Sequence, residues 1–124
     1  MVKEYPAFKA AAVQAGPVYR DRPDYFDTEA TLEKAVGFIE DAAKEGARLI
    51  VFPETFLPGY PYWSLDLDNG PEWAVTWREY LKHSVEVPGE ETELLCEAAK
   101  KSNTYLVLGI NERGLWDKNI SFHD

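Results

Sequence analysis

Short apolar strands alternate with amphipathic helices along this sequence, and that alternation predicts an α/β fold built on a layered sheet. Three stretches carry the expectation: a helical pattern over residues 28–46, the apolar run Leu49-Ile50-Val51-Phe52 two residues later, and a further helix-then-strand pair over residues 90–101 and 105–110.

Residues 8–14 (FKAAAVQ) form a small-residue apolar run closed by the turn signal Gly16-Pro17, and read as a buried first strand. Residues 19–27 (YRDRPDYFD) mix charge and a proline with three aromatics, the composition of a solvated surface connection. From Thr28 onward, Leu32, Ala35, Val36, Ile39, Ala42 and Ala43 recur three and four residues apart, which puts them on one helical face. Asp27 can cap the first amides, Glu29 suits the positive end of the helix dipole, and Gly46 supplies a left-handed stop. Four consecutive apolar residues at 49–52 then predict a strand covered on both faces.

Asn69-Gly70 before Pro71 opens a second helix, reaching Ser84, with Trp73, Trp77, Tyr80, Leu81 and Ser84 on one side. A third helix, residues 90–101, has acids at its start, two lysines at its end and Leu94, Leu95, Ala98 and Ala99 as its apolar stripe. Residues 105–110 (YLVLGI) read as another buried strand, and residues 114–124 as a turn followed by a strand cut short.

A chain of 124 residues fits one domain. Its hydrophobic fraction of 45% and charged fraction of 28% are those of an ordinary globular protein. No apolar run approaches the roughly 20 residues a bilayer span needs, and the amino terminus lacks a signal-peptide core, so no membrane partner and no export are expected. The formal charge of −9, without a basic cluster, opposes nucleic-acid binding. A lone cysteine, Cys96, requires no oxidising compartment, and a cytoplasmic location is expected. His83 and His123 stand too far apart for metal-ligand spacing, so no metal is expected.

The stretch LIVFPETFLPGYPYW, residues 49–63, carries the chemistry. Ligands of open α/β sheets gather outside the carboxyl ends of the strands, and Glu54 comes two residues past such an end. Walled by Phe52, Phe56, Tyr60, Tyr62 and Trp63, its carboxylate would be partly desolvated and its pKa raised toward the range useful in proton transfer, which makes Glu54 a candidate general base. Tyr60 and Trp63 are the candidate substrate-binding residues. The alternative, commoner for a glutamate after a strand, is that Glu54 caps a turn or pairs with a surface lysine. Trp73, Trp77 and Tyr80 fit a pocket wall or an ordinary core equally well.

Residues 51–63 (VFPETFLPGYPYW) closely resemble the motif around the catalytic glutamate of the nitrilase family of carbon-nitrogen hydrolases. The resemblance extends to AAVQAGPVY (11–19), TLEKAVGFIEDAAKEGARLIVFPE (31–54), VEVPG (85–89) and LVLGINER (106–113), covering nearly all of the chain to Arg113. GYPYW looks most like the nitrile-hydrolysing branch. The resemblance implies an α-β-β-α sandwich, of which residues 1–124 hold a partial domain ordered strand-helix-strand-helix-helix-strand and truncated before the later strands. It implies a small nitrile or amide substrate, no cofactor, a homo-oligomer, and a Glu-Lys-Cys mechanism through a thioimidate and an acyl-enzyme.

Only the glutamate of that set is in view. Cys96 lies within an amphipathic helix beside Glu97, where nothing lowers a thiol pKa, and reads as a small residue facing the core. Lys118, in the turn-like WDKN segment, reads as a solubilising charge. The chain is therefore expected to be a fragment, a truncated product or a decayed copy, inactive alone, with one apolar sheet face open and prone to association. A non-catalytic self-associating or regulatory module is the alternative; among enzymes, an amidase or a cyanide-hydrolysing relative is the other reading.

Overall fold

The computed structural model describes residues 2–22 and 24–114. Its elements are β1 (Lys9–Ala12), α1 (Thr28–Lys44), β2 (Ala47–Val51), α2 (Trp63–Asp66), α3 (Pro71–His83), α4 (Glu90–Ser102) and β3 (Tyr105–Val107). The three strands form one parallel sheet in the order β1-β2-β3, so the α/β expectation holds. Ala10 pairs with Leu49 and Ala12 with Val51 on one side of β2; Leu49 pairs with Tyr105 and Val51 with Val107 on the other. Parallel neighbours need a crossover, and the helices supply it.

Helix α1 starts where the sequence sets it. The Asp27 carboxylate accepts the Ala30 N–H at 3.0 Å, and the Thr31 hydroxyl donates to the Asp27 carbonyl at 2.7 Å. It stops before Gly46, whose φ of +89° costs a residue without Cβ nothing. Its inner face, Ala35 and Ile39, meets Ile50 of β2, Phe52 and Phe56 just beyond it, and Leu95 from α4, forming the main core. Both α1 and α4 pack on this one side of the sheet, while strand alternation points Val51 and Val107 the other way.

The opposite face is open. Val51 is 37% exposed, Val107 54%, Tyr105 78% and Phe8 67%. This corrects the expectation that the 49–52 run is covered on both faces and that β1 and the 105–110 run, of which 105–107 forms β3, are buried. Four successive apolar residues report that both faces are made for cover; they do not say that this chain supplies it.

A second, aromatic core joins three segments. Phe26, Trp63 and Tyr80 are buried together, with Tyr25, Leu67 and Trp77 packed against them. The 19–27 connection is therefore not wholly solvated: Tyr19 and Phe26 form an antiparallel bridge that turns Phe26 inward. The four-residue α2 is too short to show a helical period and is absent from the sequence reading. The expected final strand falls in residues 115–124, outside the described residues. No helix among the described residues is long and apolar enough to cross a membrane.

Candidate active site

The geometry around Glu54 begins with a mismatch between β2 and its neighbour. Just past β2, the Phe52 N–H donates to the Val107 carbonyl at 2.8 Å. The next link is Leu57 N–H to the Gly109 carbonyl at 3.3 Å, followed by Asn111 N–H to the Leu57 carbonyl at 2.9 Å. Five residues of one segment thus advance against two of its neighbour, and residues 53–56 are looped out at the carboxyl end of the sheet. Glu54 and Thr55 form the turn of that loop. Thr55 has φ +45°, an uncommon conformation for a β-branched residue and one that functional loops tolerate. Phe56 plunges back into the core, 1% exposed, with its ring 5.1 Å from that of Phe52.

The loop forms one wall of a cavity of about 500 Å³, in which Glu54 and Thr55 face Tyr19, Tyr60 and Tyr62 and the Gly16-Pro17 turn. That turn, which follows β1, is tied to α1: the Lys34 ammonium donates to the Gly16 carbonyl at 2.7 Å, and the Val18 N–H donates to the Thr31 hydroxyl at 2.9 Å. The ends of β1 and β2 therefore converge on one crevice, where ligands of parallel sheets bind. The Glu54 side chain is exposed, and among the described residues its carboxylate joins no ion pair.

Tyrosines dominate the rest of the wall. Tyr60 and Tyr62 lie with ring centroids 4.6 Å apart, and Tyr19 stacks on Tyr25 at 4.5 Å. The Tyr19 hydroxyl rests against Gly59, at the place where any side chain there would begin. Burial, reinforced by Tyr25, Tyr80 and Tyr62, pushes the Tyr19 phenol up to about 12. It is thus a neutral hydroxyl throughout the physiological range. Burial, with Tyr60 nearby, raises the Tyr80 phenol too.

Of the residues singled out from sequence, the structure brings Glu54 and Tyr60 to the same cavity, together with Tyr62 and Phe56. Trp63 goes elsewhere. It is 4% exposed and packs against Trp77, with centroids 4.8 Å apart, and against Phe26 and Tyr80 in the aromatic core. Phe52 likewise faces the main core, and among the described residues Trp73 reaches only Trp77 among the rings. The enclosing aromatic wall expected from sequence is thus an open tyrosine rim, because Phe52, Phe56 and Trp63 turn inward to anchor the 52–63 segment.

Cys96 is exposed on α4 and not turned to the core, a correction: Leu95 takes the inward position and its neighbour falls outside the stripe. His83 is held between helices, its Nδ1 2.9 Å from the Thr28 hydroxyl and its Nε2 3.7 Å from Glu79. Lys118 and His123 lie outside the described residues. Among the described residues, no group of three or more His, Cys, Asp or Glu side chains could hold a metal ion. Tyr19 was missed from sequence; its position just after the first strand, at the same edge as Glu54, is the signal that could have found it.

The model of the carbon-nitrogen hydrolase family matches residues 9–123. The chain belongs to that family. Similar proteins include an aliphatic nitrilase of Rhodococcus rhodochrous, 41% identical over 107 residues, which cover 85% of this chain and 26% of that one. Nitrilase 2 of Arabidopsis thaliana is 44% identical over 109 residues, 85% of this chain and 30% of its own length. A cyanide hydratase of Armillaria gallica is 39% identical over 106 residues, 86% and 28%. This carbon-nitrogen hydrolase chain thus spans between a quarter and a third of these relatives' lengths. Its parallel sheet and helices are an N-terminal part of the nitrilase α/β fold.

Proposed function

We propose that Glu54 is the general base of a nitrile-hydrolysing site that a lysine and a cysteine from outside these 124 residues complete. One observation carries the reading: Glu54 stands on a loop extruded at the carboxyl ends of parallel strands, inside a tyrosine-lined cavity. Its position in a chain similar to nitrilases supports it further.

In this reading Glu54 accepts the cysteine thiol proton, and the thiolate adds to the nitrile carbon to give a thioimidate. Water activated by the same carboxylate then adds, ammonia departs, and a second water releases the acid from the acyl-enzyme. The lysine ammonium stabilises charge developing on substrate nitrogen or oxygen. Tyr60, with Tyr19 and Tyr62, contributes ring faces and hydroxyls suited to a small nitrile. Trp63 holds the segment bearing Tyr60 and Tyr62 to the aromatic core and acts on substrate only through it. The reading carries with it a homo-oligomeric, cytoplasmic enzyme without cofactor.

The test grafts this chain in place of the matching segment of the Rhodococcus rhodochrous nitrilase and follows ammonia release from aliphatic nitriles, cyanide and amides. Glu54→Gln should lower turnover by roughly 10²- to 10⁴-fold with the melting transition unchanged, since the amide cannot accept the proton. Near-normal turnover would sink the assignment, and the substrate profile separates nitrile hydrolysis from cyanide hydration and amide cleavage.

A second reading, a non-catalytic self-associating module, is favoured by the open apolar sheet face of Phe8, Val51, Tyr105 and Val107. Sedimentation of the 124-residue chain decides it: a discrete oligomer, dispersed by Val107→Lys, supports this reading, and a monomer removes it.

A further inference from the structure

We infer that Gly109 is a positioning residue for Glu54, required because the neck of the Glu54 loop occupies the space where its side chain would be. The inference rests on the reading of Glu54 as the base. A Cβ built on Gly109 would stand 2.5 Å from the Thr55 nitrogen, 2.7 Å from the Pro53 oxygen and 2.9 Å from the Glu54 Cα. All three are backbone atoms, and no rotation of a flexible side chain can relieve them. Of the other glycines, Gly59 and Gly89 are also tight, against Tyr19 and Glu86, whereas Cβ atoms on Gly16, Gly37 and Gly114 would meet nothing within 4 Å; Gly109 alone among the described residues is closed by the Glu54 loop.

The cause is the register mismatch. Phe52 and Leu57 bond to Val107 and Gly109, so the loop leaves and rejoins the sheet across a single step of the neighbouring strand. The neck must close over that step, and only a residue without a side chain lets the two backbones touch. The loop is pinned on both flanks. Phe52, bonded to Val107 and seated in the core, holds the near side, and Phe56 in the core with Leu57 paired to Ile110 holds the far side. Added bulk at Gly109 can therefore be absorbed only by residues 53–55, the segment that carries the Glu54 Cα. Glycine inside an apolar strand run marks a close backbone approach of this kind, and within YLVLGI the approach is to the carboxylate loop.

Two measurements test the inference with Gly109→Ala, using Gly114→Ala as the glycine-to-alanine control. In amide NMR spectra of the ¹⁵N-labelled 124-residue chain, Gly109→Ala should shift the resonances of Glu54, Thr55 and Phe56 while those of Ala35 and Ile39 in α1 stay in place. In the grafted nitrilase, Gly109→Ala should lower kcat by about 10²-fold with KM changed far less, the effect of displacing a catalytic group by about 1 Å. Gly114→Ala should do neither. Unshifted loop resonances, or a kcat within twofold of the unsubstituted graft, overturn the inference. So does loss of the cooperative melt in both the isolated chain and the graft, which would make Gly109 a residue of general packing. An unsubstituted graft that folds but lacks activity overturns the reading of Glu54 as base, and the loop resonances then still decide whether Gly109 sets the loop.

Discussion

Replacing Phe56 by alanine tests whether the Glu54 loop is anchored or merely tethered. Phe56 is 1% exposed and meets Phe52 with centroids 5.1 Å apart, within the core that holds Ile39, Ile50 and Leu95. Truncating a fully buried phenylalanine costs about 3–5 kcal/mol, transfer and residual cavity together. A domain has about 5–15 kcal/mol to lose, so the variant should remain measurable yet be strongly weakened. With a urea slope of about 1.5 kcal/mol per molar, within the range for small proteins, the midpoint should fall by about 2–3 M. The assay is urea unfolding followed by far-ultraviolet circular dichroism and by tryptophan fluorescence, two probes whose coincidence tests two-state behaviour. Leu65→Ala, at a side chain 80% exposed, is the comparison and should stay within about 0.5 kcal/mol of the parent. A midpoint shift for Phe56→Ala below about 0.7 M at unchanged slope would correspond to less than about 1 kcal/mol and refute the anchoring. Glu54 would then sit on a loop held only by backbone bonds.

Two pH-dependent effects follow from the flanks of the same region. The Arg20 guanidinium, 2.7 Å away, and the Ala30 N–H hold the Asp27 carboxyl below its ordinary value of 3.8, so its contribution to stability is present above about pH 4 and lost as pH falls through the depressed value. Asp27→Asn keeps an acceptor for the cap but not the charge, and should flatten the acid limb of a melting-temperature profile; an unchanged limb would refute the role. The Tyr19 phenol is raised from 10.0 to about 12, so the folded chain keeps a proton that the unfolded chain releases, and stability present below pH 10 is lost as pH rises toward 12. Tyr19→Phe should weaken that alkaline loss, read from melting temperatures between pH 9 and 12, and an equal slope in both proteins would count against burial of the hydroxyl.

The order of elements was legible because each is written in a local code. Asp27 and Gly46 bracket α1, Pro71 opens α3, and the acid-to-lysine gradient of α4 follows the dipole, all readable within a turn or two of helix. Glu54 was legible for a similar reason: a carboxylate just past an apolar run must emerge near the carboxyl end of a strand.

Only the tertiary structure decided the rest, because it depends on residues far apart in the chain. Whether Trp63 faces a substrate or a core turns on Phe26 and Tyr80, which the sequence separates from it and the packing brings together. Whether β2 is covered on both faces turns on what lies against the far side of the sheet, and there Val51 and Val107 stand open. Tyr19 reaches the cavity because β1 pairs in parallel with β2, which brings the two strand ends side by side. The meaning of Gly109 lies in the register by which two residues of one strand oppose five of another. Periodicity and punctuation fix what each segment is; register and close packing fix which segments share a site, and those are set by distances that no local pattern encodes.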